Sequence, residues 1–196
     1  MNLDREGLYR GLSNAAWGYL FLNFDLNLGT VSVTPRFVGW LLFVAAIRDL
    51  AQERRDLALL RPLGLLLAAW NGADWLLSWA GGSAGGHILF LDLLMAAAGV
   101  YFHFQFLTDM AALAARYQPE GGNLDQRLRR RRTVYILLIT AVAILVHLPT
   151  GRYAELQGHV ALGLSVIALI TALFIMVGTF ELRGLFREEE APGPEA

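Results

Sequence analysis

The sequence predicts an all-α, polytopic membrane protein with six transmembrane helices in three hairpins and both termini in the cytoplasm. Three observations support this prediction: the composition, the spacing of the apolar segments and the distribution of arginine. Hydrophobic residues make up 56% of the 196 residues, and the mean hydropathy is +0.46. Apolar residues usually make up about 45–50% of a soluble domain. We therefore expect the chain to reside in a lipid bilayer.

Six apolar segments are separated by short polar connections. A helix that crosses the hydrocarbon core needs about 20 mostly apolar residues, within a range of about 17–25. The predicted spans cover residues 12–28, 35–50, 62–80, 87–106, 133–150 and 159–180. They form a single helical domain over residues 1–186. The tail, residues 187–196, is acidic and rich in Pro and Gly, and we expect it to be disordered.

The first hairpin contains the shortest span. Thr34 is a suitable N-cap for the second helix, and Pro35 is a suitable first helical residue. The apolar part of this helix, Pro35 to Ile47, covers only about 20 Å of a hydrocarbon core of about 30 Å. Arg36 and Arg48 can lengthen the span by snorkelling, or the first hairpin can be re-entrant. Both alternatives leave the orientation of the later spans unchanged.

Arginine supplies all sixteen basic residues, and its distribution predicts the orientation. Under the six-span interpretation, fourteen arginines lie on one side, and only Arg36 and Arg152 lie on the other. Because basic residues are enriched in cytoplasmic connections, both termini are predicted to be cytoplasmic. Aromatic residues are then expected at the interfaces, with Trp79 at the outer one and Tyr117 and Tyr135 at the inner one.

The third span carries two polar residues in the apolar stretch "WNGADWLLSW". At helical spacing, Asn71 and Asp74 lie on the same face as the small residues Gly64 and Ala68, whereas leucines cover the rest. Small residues at such spacing allow helices to approach closely, and polar side chains can form hydrogen bonds across the contact. The polar pair is therefore predicted to face protein and not lipid.

The fourth span has a similar stripe, because Asp92, Ala96, Gly99 and His103 follow the spacing i, i+4, i+7, i+11. Within a bilayer an aspartate costs about 2.5–3.5 kcal/mol on insertion scales, so such residues often mark a pathway or a site. The candidates for an ion, proton or substrate pathway are Asp74, Asp92, Asn71, His103 and Asp25.

Two interpretations of the aspartates remain open. If Asp74 and Asp92 meet, their repulsion favours sharing a proton or binding a cation. Alternatively, Asp74 forms a hydrogen bond to a neighbour such as Asn14, His103 or a backbone carbonyl and clamps the bundle. The sequence leaves metal binding undecided.

The longest connection contains an arginine block, "RLRRRR". Arginines there can attract anionic headgroups at about 1 kcal/mol per charge. The candidates for contact with anionic lipids are Arg127, Arg129, Arg130, Arg131 and Arg132. The alternative is that the block serves only as the orientation signal. Nearby, Asp109 and Glu181 are expected to be interface charges and not site residues.

The sequence lacks the motifs that are typical of several classes of enzyme and metal site. The chain has no cysteine, which excludes disulfides, thiolate metal sites and a cysteine nucleophile. A glycine-rich phosphate loop, an HExxH zinc pair, a GxSxG elbow and an EF-hand loop are also absent. We expect no cofactor, because the aromatic run "YFHFQF" is typical of a packing face. The formal net charge of -1 gives no indication of nucleic-acid binding.

The first hairpin also carries a short pattern, "(F/N)LGT…P.F(I/V)G". The matching residues are Asn27, Leu28, Gly29, Thr30, Pro35, Phe37, Val38 and Gly39. This hairpin resembles the opening of small uncharacterised multi-pass membrane proteins of Firmicutes, over about the first 50 residues. The resemblance implies residence in the cytoplasmic membrane of a bacterium and implies no activity and no site.

Three functions remain compatible with the sequence. The first is a small transporter, or the subunit of an ion or proton pathway, that uses the intramembrane carboxylates and assembles with further copies. The second is a structural or accessory subunit that holds a membrane partner through its polar stripes. The third and weakest is an enzyme acting on a lipid-linked substrate at the outer face. We place the transporter first, and an enzyme is the less expected alternative.

Overall fold

The computed structural model describes residues 4–24, 27–28, 31–32, 35–83, 85, 88–149 and 153–187. Over these residues the protein is helical, as predicted, apart from one pair of two-residue strands. The helices are α1 (Arg5–Asn23), α2 (Arg36–Leu50), α3 (Arg61–Trp79), α4 (Leu89–Tyr117), α5 (Leu124–His147) and α6 (Ala154–Gly184). A 3-10 helix over Arg55–Leu60 precedes α3. Two short segments, β1 (Asn27–Leu28) and β2 (Val31–Ser32), pair antiparallel.

The six helices form a ring in which the order of neighbours follows the chain. Helix α2 packs against α1 and α3, α5 packs against α4 and α6, and α1 packs against α6. The contact between α3 and α4 is much less extensive than the other contacts around the ring. The ring therefore has one weak seam, between α3 and α4.

Local sequence explains how several of these helices begin and end. The Asp4 carboxylate accepts a hydrogen bond from the Gly7 N–H at 2.8 Å, which caps α1. Pro62 lies in the first turn of α3, where its missing N–H is not needed. Gly81 and Gly121 follow α3 and α4 with φ of 75° and 80°, a conformation that favours glycine.

The helices differ from the predicted spans mainly at their ends. Helix α1 ends at Asn23 and not at residue 28. At this end the Asn23 side chain donates a hydrogen bond to the Tyr19 carbonyl at 2.8 Å. Helix α4 continues to Tyr117 instead of ending at residue 106, and α5 begins at Leu124 instead of residue 133. Arg, Gln and Ala are good helix formers, so these helices continue beyond their apolar parts.

Among the described residues, two helices are long and apolar enough to cross a membrane, α4 and α6. Their most apolar windows have mean hydropathies of 1.4 and 2.8, and only 17% and 22% of those residues are buried. The other helices are shorter or more polar: α2 has 15 residues, and α5 begins with the arginine block.

Glycine permits the close crossing of α1 and α2. A Cβ atom on Gly39 would lie 3.0 Å from the Gly18 carbonyl oxygen, and one on Gly18 would lie 3.2 Å from the Gly39 carbonyl oxygen. Real Cβ atoms rarely approach other atoms so closely. The two backbones are therefore in direct contact, which places Tyr19 and Phe43 in the core of the ring, where both are fully buried.

Ion pairs join the helices at one end of the bundle, which we call the arginine-rich end. Asp49 is buried and accepts hydrogen bonds from Arg10 at 2.8 Å and from Arg48 at 3.2 Å. Asp109, expected to be an interface charge, is 0% exposed and pairs with Arg54 at 2.7 Å. Two buried carboxylates thus tie α1 to α2, and the segment before the 3-10 helix to α4.

Candidate functional site

A cavity of about 870 Å³ occupies the half of the bundle opposite the arginine-rich end. All six helices contribute to its lining. Helix α1 ends at Asn23 and α2 begins at Arg36, and both of these residues line the cavity. The two helices thus stop at the cavity while α3 to α6 continue beside it. Its volume lies within the range of about 300–1,000 Å³ that is typical of ligand sites.

The polar stripe of α4 faces this cavity, as the sequence predicts. Asp92, Ala96, Gly99 and His103 all line it. At 1.5 Å per residue, Asp92 and His103 are separated by about 16 Å along the helix axis. A Cβ atom on Gly99 would meet no atom within 4 Å. The stripe is therefore an open wall, with an ionisable group at each end.

Three residues at helix ends form what we call the rim: Arg36 begins α2, Asp92 lies in the first turn of α4, and His147 ends α5. The Asp92 carboxylate is half-buried and lies against Gly85. The His147 Nδ1 is 2.7 Å from the Ala143 carbonyl. Because a carbonyl can only accept, this Nδ1 carries the proton, and Nε2 of the neutral ring is an acceptor.

His103 and Tyr135 form what we call the floor of the cavity. His103 is 5% exposed. Five aromatic rings have their centroids 5.4–5.8 Å from its imidazole, those of Tyr19, Trp40, Phe43, Phe102 and Tyr135. The His103 Nδ1 and the Tyr19 hydroxyl are buried without a hydrogen-bond partner among the described residues. Both atoms are enclosed by protein, and Tyr19 does not line the cavity, whereas the His103 Nε2 is not enclosed and has no hydrogen-bond partner among the described residues. Nε2 is therefore the nitrogen that a polar group in the cavity can reach.

Two asparagines beside the cavity have their amide groups held by the backbone. Asn23 donates to the Tyr19 carbonyl at 2.8 Å and accepts a hydrogen bond from the Tyr135 hydroxyl at 3.4 Å. Asn71 donates to the Leu67 carbonyl at 2.8 Å. Tyr135, expected at the inner interface, is buried near the middle of α5, which begins nine residues before the predicted span.

Asp74 and Asp92 do not share the cavity wall. Asp92 lines the cavity, whereas Asp74 is exposed and is not part of the lining. Three residues turn a helix by about 300°, so Asp74 is offset by about 60° from Asn71, which is enough to leave it outside the lining. The expected inward orientation therefore holds for Asn71 and not for Asp74. The fifth candidate, Asp25, lies outside the described residues.

The arginine block lies along the first half of α5, and most of it contacts the rest of the chain. Arg127 pairs with Glu181, Arg129 lies 3.8 Å from Asp125, Arg131 donates to the Phe174 carbonyl, and Arg132 donates to the Thr108 hydroxyl. Arg130 is exposed and has no partner within the described part of the chain. The block thus holds α5 against α4 and α6, and one of its five guanidinium groups is directed outward.

Sequence reasoning missed three residues of the site, Arg36, Tyr135 and His147. Arg36 was considered only as a snorkelling residue at the end of a short span, although its distance from the arginine-rich side could have placed it with Asp92. No local sequence pattern marks Tyr135 as a site residue, because its hydrogen-bond partner Asn23 is far away in the sequence. Among the described residues, no group of three or more His, Asp or Glu side chains could hold a metal ion.

Comparisons with known proteins give no further indication of the function. Models of known families, curated proteins and solved structures show no match to this chain. The function is therefore argued from the cavity itself.

Proposed function

We propose that this chain is a small six-span transporter of the bacterial cytoplasmic membrane, which takes up its substrate in the cavity from the non-cytoplasmic side. The cavity carries this proposal, because all six helices line it and because it lies away from the arginine-rich end. Asp92 at the rim and His103 at the floor are the candidate substrate or proton contacts. Asp74, which is not part of the lining, has no place in this mechanism.

Exposed apolar side chains support residence in a bilayer. Phe90, Leu137 and Leu162 are 75%, 66% and 64% exposed, and every one of the six helices carries exposed large hydrophobic residues. Soluble monomers rarely expose contiguous apolar patches of more than a few hundred Å². A lipid environment accounts for this surface, and the resemblance of the first hairpin supports the bacterial location.

The arginine-rich end supports the orientation. Arg10, Arg48, Arg54, Arg116 and Arg127 all lie there, in ion pairs with carboxylates of the same end. Basic residues are concentrated on the cytoplasmic side of membrane proteins. The cavity then faces the outside of the cell.

The closed floor supports transport over free conduction. The aromatic cluster around His103 separates the cavity from the arginine-rich end, where Arg54 and Asp109 form a buried ion pair. A midplane site that is accessible from one side is typical of an alternating-access transporter in one of its states. The weak seam between α3 and α4 is the place where the ring can rearrange.

Accessibility of a single cysteine tests this proposal without knowledge of the substrate. The chain has no native cysteine, so Gly99→Cys introduces one thiol on the cavity wall. Gly163→Cys is the matched control, because Gly163 is an exposed helical glycine of α6 that is not part of the lining. Neither new Cβ atom meets another atom within 4 Å.

We expect a membrane-impermeant methanethiosulfonate to modify Gly99→Cys from the outside, and at a lower rate from the inside in inverted vesicles. Gly163→Cys, which faces lipid, should react from neither side. Reaction of Gly99→Cys from the outside alone would exclude alternating access. A Gly99→Cys that is unreactive from both sides would exclude a water-accessible cavity, and with it the proposed function.

A further inference from the structure

We infer that the cavity binds a mostly apolar molecule whose one uncharged hydroxyl or carbonyl group forms a hydrogen bond with His103. This inference rests on the proposed function and specifies the class of its substrate. It also assigns a binding role to the floor, where the sequence alone could not separate a ligand contact from a packed histidine.

The first observation is the unfilled hydrogen-bonding capacity at the floor. His103 lines the cavity with only 5% of its surface exposed, and its Nε2 is not enclosed and has no hydrogen-bond partner among the described residues. A buried donor or acceptor that remains unbonded is costly. A ligand that supplies a polar group there recovers that cost.

The second observation is the absence of a formal charge near the imidazole along α4. The charged lining residue of that helix, Asp92, is about 16 Å away along the axis. Arg36 lies one helical turn from Trp40 on α2 and is an exposed side chain. Burying an unpaired ion beside five aromatic rings is strongly unfavourable. The group that reaches His103 is therefore uncharged.

The third observation is the apolar wall between floor and rim. Aliphatic and aromatic side chains line it on α3, α4, α5 and α6, including Leu67, Trp70, Met95, Ile139 and Leu169. Together with the open face at Gly99, these residues leave room for an apolar body above the imidazole. At such walls the favourable binding free energy of a ligand increases with the apolar area that the ligand buries.

Four probes with one apolar body test the inference: naphthalene, 1-naphthol, 1-naphthoate and 1-naphthylmethylammonium. Each is titrated at neutral pH onto the full chain in nanodiscs, and empty nanodiscs provide the correction for partitioning into lipid. We expect 1-naphthol to bind more tightly than naphthalene by up to about tenfold, which is the contribution of one hydrogen bond. Both charged probes should bind more weakly than 1-naphthol.

Variants assign the preference to His103. In His103→Phe the two uncharged probes should bind equally, whereas His103→Gln should retain part of the preference for 1-naphthol. The thermal midpoint of His103→Phe should not fall, because the imidazole Nδ1 has no partner to lose among the described residues. Gly99→Phe should weaken the binding of both uncharged probes, and Gly163→Phe should weaken neither.

The outcomes separate this inference from the proposed function. Equal binding of naphthalene and 1-naphthol to the unaltered chain, or a preference for either charged probe, would overturn the inference. Neither result would contradict the proposed function. Absence of binding by all four probes, or binding that is insensitive to Gly99→Phe, would also contradict the proposed function.

Discussion

At the scale of single residues, the contribution of a charged side chain to stability depends more on its environment in the fold than on its position in the sequence. Asp109 is fully buried and accepts hydrogen bonds from Arg54 at 2.7 Å and Gln105 at 3.0 Å. Glu181 pairs with Arg127 at 2.5 Å, but the two side chains are 46% and 40% exposed. Both carboxylates were expected to be interface charges, but Asp109 is buried inside the protein, whereas Glu181 is partly exposed at the protein surface.

Replacing Asp109 tests this difference. We expect Asp109→Ala to lower the free energy of unfolding by about 3–5 kcal/mol, because the Arg54 guanidinium loses its buried counter-charge and keeps only the exposed Asp56 carboxylate, 3.7 Å away. The matched change Glu181→Ala should cost less than about 1 kcal/mol, since exposed pairs contribute little. Urea unfolding in detergent micelles, with tryptophan fluorescence as the readout, measures both. Similar losses in the two variants would contradict the proposed distinction.

At the scale of secondary-structure elements, the bundle depends on a few close approaches and on its turns. Gly18 and Gly39 bring the backbones of α1 and α2 into contact. The turn between α4 and α5 is held by the Gln118 side chain, which accepts from the Leu124 N–H at 2.9 Å and donates to Asp125 at 2.8 Å. Changes at these positions should affect the packing of whole helices.

Alanine substitutions separate the role of a glycine in packing from its helix propensity. Gly39→Ala should destabilise the protein by about 1–3 kcal/mol, because the added methyl group overlaps the Gly18 carbonyl and the helices must separate. Gly163→Ala should instead be neutral or stabilising by up to about 1 kcal/mol, because no atom lies within 4 Å of the new Cβ. Thermal unfolding of both variants measures the difference. A stable Gly39→Ala would show that the crossing tolerates a side chain.

The turn should also be sensitive to acid. The hydrogen bond from Gln118 is the main cause that lowers the pKa of Asp125 below its ordinary value of 3.8, with smaller contributions from the Gln126 N–H and from Arg129. A lowered pKa in the folded state contributes stability that is present above pH 3.8 and is lost as the pH falls through the folded value.

We therefore expect Asp125→Asn to melt below the unaltered protein at pH 7 and the two melting temperatures to converge below about pH 4. Scanning calorimetry across this pH range measures the convergence. A difference that persists unchanged in acid would show that the carboxylate charge does not stabilise this turn.

At the scale of the whole molecule, the number and order of the helices were predictable from the sequence, because six apolar segments are separated by polar connections. The inward face of α4 was predictable because Asp92 and His103 belong to one helical stripe. The burial of Asp109 was not, because its partner Arg54 is 55 residues away. The aromatic cluster around His103 was not predictable either, since its rings come from four helices whose relative positions no local pattern contains.

The orientation of the molecule can be tested with two further cysteines. Ser83→Cys lies in the connection between α3 and α4, and Glu120→Cys lies in the connection between α4 and α5. In intact cells an impermeant maleimide should label Ser83→Cys, whereas Glu120→Cys should react only after permeabilisation, because α4 separates the two sites. Labelling of both in intact cells would exclude a span at α4, and the reverse pattern would invert the proposed topology.

The weak seam between α3 and α4 has a consequence for how affinity must be reported. Residues of both helices line the cavity. In the proposed membrane orientation, the seam therefore lies between the cavity and the hydrocarbon phase. A molecule that dissolves in lipid then reaches the site laterally from the bilayer. Its concentration in the membrane, and not its far lower aqueous concentration, determines the occupancy of the site. Dissociation constants for such a molecule should therefore scale with the amount of lipid in the assay, and mole fraction in the bilayer becomes the natural unit.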